Sequence, residues 1–145
     1  MTVGTVAAAD GGLDYSVIKF DLAKVTPVAS FAGFAINGIG TDADWHQPVC
    51  KRGAATGDDC RNSKYIPRPG KTDFLIGWLF QPGDDGAPVT IDNLLVGLIR
   101  DGYVIPGDIN GAAPVPETHL ALFSAIMGDV NAKGGPGAGF SPIPA

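Results

Sequence analysis

GKTDFLIGWLFQPGDDGAPVTIDNLLVGLIRDGYVIPG, residues 70–107, holds the densest apolar runs of this 145-residue chain, Phe74–Phe80 and Leu94–Ile99. Between them lies PGDDGAP, a cluster of turn-formers that lets the chain double back so that each run can bury a face against a partner. Phe74–Phe80 reads as a buried strand in which Gly77 permits close backbone approach. Thr90–Gly102 reads two ways. Ile91, Leu94, Leu95, Leu98 and Ile99 follow the spacing of an amphipathic helix, with Thr90 as N-cap and Gly102 as stop. Gly97 interrupts that pattern, and Leu94–Ile99 also suits a continuous strand that turns at Arg100-Asp101-Gly102 into Tyr103–Ile105. Periodicity alone favours the helix.

C-terminal to this stretch, Pro116–Asn131 places Leu120, Phe123, Ile126, Met127 and Val130 on one helical face, and Gly134 and Gly135 end it. Residues 132–145, rich in Gly and Pro, form a tail with Phe140 and Ile143 as anchors. His119 reads as a solvated surface residue. On the N-terminal side, Lys64–Gly70 is extended because Pro67 and Pro69 exclude helix. Residues 41–62 are polar and irregular and read as a loop insertion that Trp45 tacks down. Leu13–Val25 and Val28–Ile36 read as strands, with a hairpin signal at Asn37–Gly40. Residues 1–12 are small and flexible. They read either as a frayed end or as an arm, carried by Thr2, Val3, Thr5 and Val6, that adds a strand to a neighbouring molecule.

The length favours one domain, residues 13–131. Gly and Pro make up roughly a quarter of the chain, but an apolar fraction of 45% is enough for a packed core. A net charge of −5 with only 10 Lys and Arg argues against nucleic acid as the partner. The basic residues between Lys51 and Lys71 read as a solvated loop beside Asp58 and Asp59. No run of about 18 apolar residues is present, so no membrane span is expected. The start, MTVGTVAAADGG, lacks the basic and apolar parts of a signal peptide, which suggests synthesis in the cytoplasm or a mature form. Cys50 and Cys60 lie in CKRGAATGDDC, where Gly53 and Gly57 let them close a disulfide, and oxidation is favoured outside a cell.

None of the nucleophile-elbow, zinc-helix, phosphate-loop or dinucleotide motifs occurs, and no catalytic residue, metal or cofactor is expected. Asp42, Asp44 and His46 lack a second spaced partner for acid–base work. Asp84-Asp85 and Asp58-Asp59 read as turn formers.

Lys64–Val130, taken as one pattern, resembles the lambda-type head decoration proteins of tailed bacteriophages. The segments that carry the resemblance are KYIP, Gly77-Trp78-Leu79, the DDGAP turn, LLVGLI, Gly102-Tyr103-Val104 and the Leu120–Gly128 helix, in that order. They span a little under half the chain, and the weight lies in order and spacing rather than in any one motif. The resemblance implies a mainly β domain with short helices (α+β), an extended N-terminal arm and strand at residues 90–102. It implies a capsid decoration, or cement, protein on the outside of an expanded phage head: a homotrimer that binds the major capsid protein, without enzymatic activity and located on the virion. The Cys50–Cys60 loop and the Gly/Pro tail depart from that family's compact pattern. Two other readings stand beside it, a different virion shell or tail-tube subunit and a secreted bacterial β-sandwich binding protein stapled by its disulfide.

Overall fold

The structure, a computed structural model, describes residues 1–42, 48–62, 65–66, 73–76, 81–105, 107, 110–111 and 115–142. The described residues form a β-rich α+β domain with one short helix. Trp45, His46, Asp44, Pro67, Pro69, the Gly77–Phe80 half of the first apolar run and Ile143 lie outside the described residues.

Strand β11 (Leu94–Ile105) is the wall the fold is built on. Its first half pairs antiparallel with β10 (Pro88–Ile91) and parallel with β5 (Gly38–Ile39). From Gly97 onward it pairs with β12 (Val115–Leu122). Beyond β12 come β9 (Asp73–Ile76) and β8 (Tyr65–Ile66); beyond β10 come β6 (Val49–Gly53) and β7 (Gly57–Arg61). One apolar cluster gathers Val49, Val89, Ile91, Val96, Ile99 and Leu120, and the second gathers Tyr15, Leu95, Phe123, Ile126 and Val130. β11 contributes side chains to both.

Residues 90–102 are therefore strand, interrupted by a tight turn at Asp92-Asn93, and not the helix that periodicity favoured. Both turn residues have positive φ, 51° and 61°, the requirement of a two-residue hairpin turn that matches strand twist. The helical spacing has a physical source. The register of β11 shifts against β10 at Val96 and against β12 at Arg100, so one extra residue enters the strand at each point. Leu95 and Leu98 then serve one cluster while Val96 and Ile99 serve the other. A bulged strand buried on both faces shows apolar residues three and four apart, as a helix does.

Four more expectations are corrected. Helix α1 covers Phe123–Lys133, and the Pro116–Leu122 part of the expected helix belongs to β12, where Thr118 and Leu120 are buried between two neighbouring strands. The helix ends on Gly134 in the left-handed conformation, whose N–H returns to Val130 O. Residues 41–62 are not simply a loop insertion. Val49, Lys51 and Gly53 alternate inward along β6, but a lysine at an inward position disguises that alternation. Asp58 and Asp59 lie on β7 rather than in a turn, paired with Arg52 at 2.6 Å and Arg61 at 2.7 Å. In the segment 28–36 the chain turns at Ala32-Gly33 between β3 (Ser30–Phe31) and β4 (Phe34–Ala35), and not at Asn37–Gly40.

The N-terminal residues are not a free arm. β1 (Gly4–Asp10) forms an antiparallel hairpin with β2 (Tyr15–Phe20), with one extra residue at Ala7. Asp21 N donates to Val3 O at 2.9 Å and Lys24 Nζ to Thr2 O at 3.2 Å, which extends the pairing beyond the strand.

Candidate functional site

Among the described residues, three main constellations are candidates for a site. The first lies between β6 and the turn before β10. Lys51 and Asp84 are both almost wholly buried, with Nζ 3.0 Å from Oδ2. Thr56 Oγ1 donates to the same oxygen at 2.7 Å and also accepts from Lys51 Nζ. The amides of Ala55 and Thr56 donate to the other carboxylate oxygen at 3.0 and 3.2 Å. Burial pushes the Asp84 carboxyl up, but the bonds from Thr56, Lys51 and the two amides outweigh it and hold the group below its ordinary 3.8. The backbone of Gly53 lies against this carboxylate, and a Cβ there would stand 2.1 Å from Oδ1. With both oxygens occupied and no space beside them, the cluster is a clamp between two turns and not a reaction centre. It overturns the reading of Lys51 as part of a solvated loop.

The same turn is fixed to β11 by Gly86 N donating to Ile99 O at 2.7 Å and Ile99 N donating to Ala87 O at 2.9 Å. Next to Ile99, Arg100 faces Asp14, with Nε 3.5 Å from Oδ2. Asp14 closes the β1–β2 turn at φ 56°, in the left-handed region. The charge pair joins β11 to the β1–β2 turn.

The second constellation ties the β1–β2 hairpin to α1. Tyr15 OH and Lys133 Nζ both donate to Asp129 Oδ2 at 2.6 Å, and Lys133 also donates to Asp10 at 2.8 Å. The Asp10 carboxylate in turn accepts the amides of Gly12 and Leu13 at 2.9 Å. Lys133 holds the carboxyls of Asp129 and Asp10 below their ordinary range, while Asp129 pushes the Tyr15 hydroxyl up and the two carboxylates push Lys133 up. The latch is exposed on its outer side, so its worth per pair is modest, but it fixes where the hairpin sits.

The third constellation is an apolar surface. On β2, Tyr15 and Val17 turn toward α1, while Ile18 and Phe20 turn outward with Val6 of β1, the cross-strand partner of Ile18. Val6, Ile18, Phe20, Val28 and Phe140 are between 45% and 70% exposed. Phe140 packs edge-on against Phe123, ring centroids 6.2 Å apart, and so stands as a ridge between two grooves. Phe20, Val28 and Leu95 line one, of about 240 Å³, and Val17, Ile18 and Met127 line the other, of about 220 Å³. A contiguous apolar surface of this kind on a folded domain marks an interaction site more often than an accident of composition.

Of the residues expected at a partner contact, Val6 and Phe140 are on this surface. Thr5 is exposed on β1, and Thr2 and Val3 are zipped to residues 21–24 of their own chain. Asp42 accepts from Ser124 Oγ at 2.9 Å beside the start of α1. His119 Nδ1 lies 3.1 Å from Asp101 Oδ1 and is half-buried rather than freely solvated. Alternation along the sequence places Ile18 and Phe20 on one strand face without marking them as contact residues. Alternation shows that a face is apolar, and only the fold shows that nothing in the chain covers it.

Cys50 and Cys60 are direct cross-strand partners, Cα atoms 4.1 Å apart, and they form a disulfide. The bond spans a short loop, so its removal in Cys50→Ser/Cys60→Ser is expected to cost about 2–3 kcal/mol. Urea unfolding of the variant beside the oxidised protein measures this; equal midpoints would mean the β6–β7 hairpin is held by its other contacts alone.

No protein-family model, curated protein or solved structure matches the chain.

Proposed function

We propose that this chain is a non-catalytic docking protein, and that in its specific form it is a capsid decoration protein that seats on the outside of an expanded phage head. The observation that carries the docking reading is the exposed apolar surface of Val6, Ile18, Phe20, Val28 and Phe140 on a β-rich body. Such a surface gains from being covered at roughly 25 cal/mol per Å². Repeated over many sites of a shell, weak individual contacts of this sort add up to stabilisation. The strand at Leu94–Ile105, which the resemblance implies, supports the decoration form.

The test is co-sedimentation with expanded heads of the phage whose genome carries the gene. Binding is expected, with at least a ten-fold loss in Phe20→Ser/Val28→Ser and an unchanged circular dichroism spectrum. A gene lying outside any phage or prophage, or no binding to such heads, would remove the decoration form.

The Cys50–Cys60 disulfide favours a second reading, a secreted binding protein, because such bonds persist in oxidising compartments. Recovery of the oxidised chain from culture medium supports it; recovery only as a free dithiol inside the cell counts against it. Ester or peptide turnover by the purified chain would overturn the non-catalytic reading in both forms.

A further inference from the structure

We infer that the open edge of β1 is a self-association site, where two copies of this chain pair antiparallel about a twofold axis near Ala7. The β1–β2 hairpin is a two-stranded sheet of its own, so among the described residues β1 has a strand on one side only. An unpaired edge offers alternating backbone donors and acceptors, and only another extended strand satisfies them in series. Natural edges are usually blunted by charged side chains or proline. Thr5–Ala9 contains neither, and the extra residue at Ala7 is the one irregularity along it.

The occupant is identified by charge and symmetry. A net charge of −5 disfavours contact between copies in general, but Thr5–Ala9 carries no charged side chain, so a second copy meets no like charge along this edge. Antiparallel pairing about Ala7 sets Thr5 opposite Ala9, Val6 opposite Ala8 and Gly4 opposite Asp10, so no like charges face each other. Identical strands paired in this way are related by a twofold and make a closed, isologous contact. The product is a four-stranded sheet, β2–β1–β1–β2, above the strand number at which a sheet becomes stable on its own. It also joins the Val6–Ile18–Phe20 faces of the two copies into one larger apolar layer. The inference does not depend on which partner covers that layer.

Analytical ultracentrifugation of the full chain tests it, with two charge variants. In Thr5→Glu/Ala9→Glu, the carboxylate introduced at residue 5 faces Lys19 within the hairpin, so the fold is kept. Across the twofold, however, carboxylates face one another. In Thr5→Glu/Ala9→Lys, opposite charges meet there instead. The expected result is a dimer for the unmodified chain, weakened about ten-fold or more in the first variant and restored in the second. A monomer for the unmodified chain, or a dimer that ignores both variants, would overturn the inference. A trimer would likewise overturn the twofold. Circular dichroism of each variant separates lost pairing from lost folding. Because the readout is oligomeric state, its failure leaves the docking reading standing, and failure of docking leaves the self-association standing; a twofold dimer would count against the homotrimer that the decoration form implies, and not against docking itself.

Discussion

Asp84→Ala is expected to lower the free energy of unfolding by about 3–5 kcal/mol, because it strands a buried ammonium group. Lys51 Nζ would be left with Thr56 Oγ1 alone, in a site with almost no access to water. The amides of Ala55 and Thr56 would lose their acceptor at the same time. The measurement is a urea midpoint at unchanged slope. A cost below about 1 kcal/mol would mean that water reaches the site and solvates the lysine. The companion variant Lys51→Met/Asp84→Leu sharpens the argument. For an isolated ion pair, apolar replacement is often neutral. Here the two amides would remain without an acceptor, at about 1–3 kcal/mol each, so the double variant is expected to stay clearly less stable than the native chain.

Leu120→Ala is expected to cost about 2–5 kcal/mol, the range for a fully enclosed aliphatic side chain cut back to a methyl. Leu120 lies opposite Ile99 on β11 and Phe74 on β9, with no exposed surface, so the neighbouring backbones limit collapse into the space left behind. The result also tests strand against helix at this position. In β12, Leu120 belongs to the cluster of Val89, Ile91 and Ile99, whereas Phe123 belongs to the other. Leu120→Ala should therefore couple with Ile99→Val by more than about 0.5 kcal/mol and add simply with Phe123→Leu. The opposite pattern would place Leu120 and Phe123 on one helical face.

The β-rich character of the fold was legible in the sequence, since β-branched and aromatic residues in short runs between turn-formers have few alternatives. That Cys50 and Cys60 could reach each other was legible in their spacing, but the mid-chain hairpin was not: the turn chemistry at PGDDGAP suggests that Phe74–Phe80 folds back on Leu94–Ile99, whereas β9 pairs with β12 and the tight turn lies at Asp92-Asn93. Three further features were hidden, each for a physical reason. Two extra residues in β11 converted a period of two into spacings of three and four, the signature of the wrong element. The apolar residues of β12 run without a break into those of α1, so one pattern covered a strand and a helix, and Pro116 fits the start of either. Lys51 sits at an inward position and looks like a solvent marker unless its partner Asp84, far along the chain, is known. That contact is long-range, and no local pattern announces it. The same limit applied to the candidate surface, where Ile18 and Phe20 resemble ordinary strand residues until the rest of the fold leaves them uncovered.

The strand order has a kinetic consequence. β9 and β10 are neighbours in sequence, yet β11 and β12 lie between them in the sheet. The β10–β11 and β6–β7 hairpins close over short stretches of chain, so their loop-closure entropy is small. The β9–β12 pairing and the Asp84 clamp each join residues more than 25 positions apart. A fold completed by such contacts reaches its native state late in the search, after the local hairpins are already present. The clamp then acts less as a source of early order than as a lock that slows departure from the finished state.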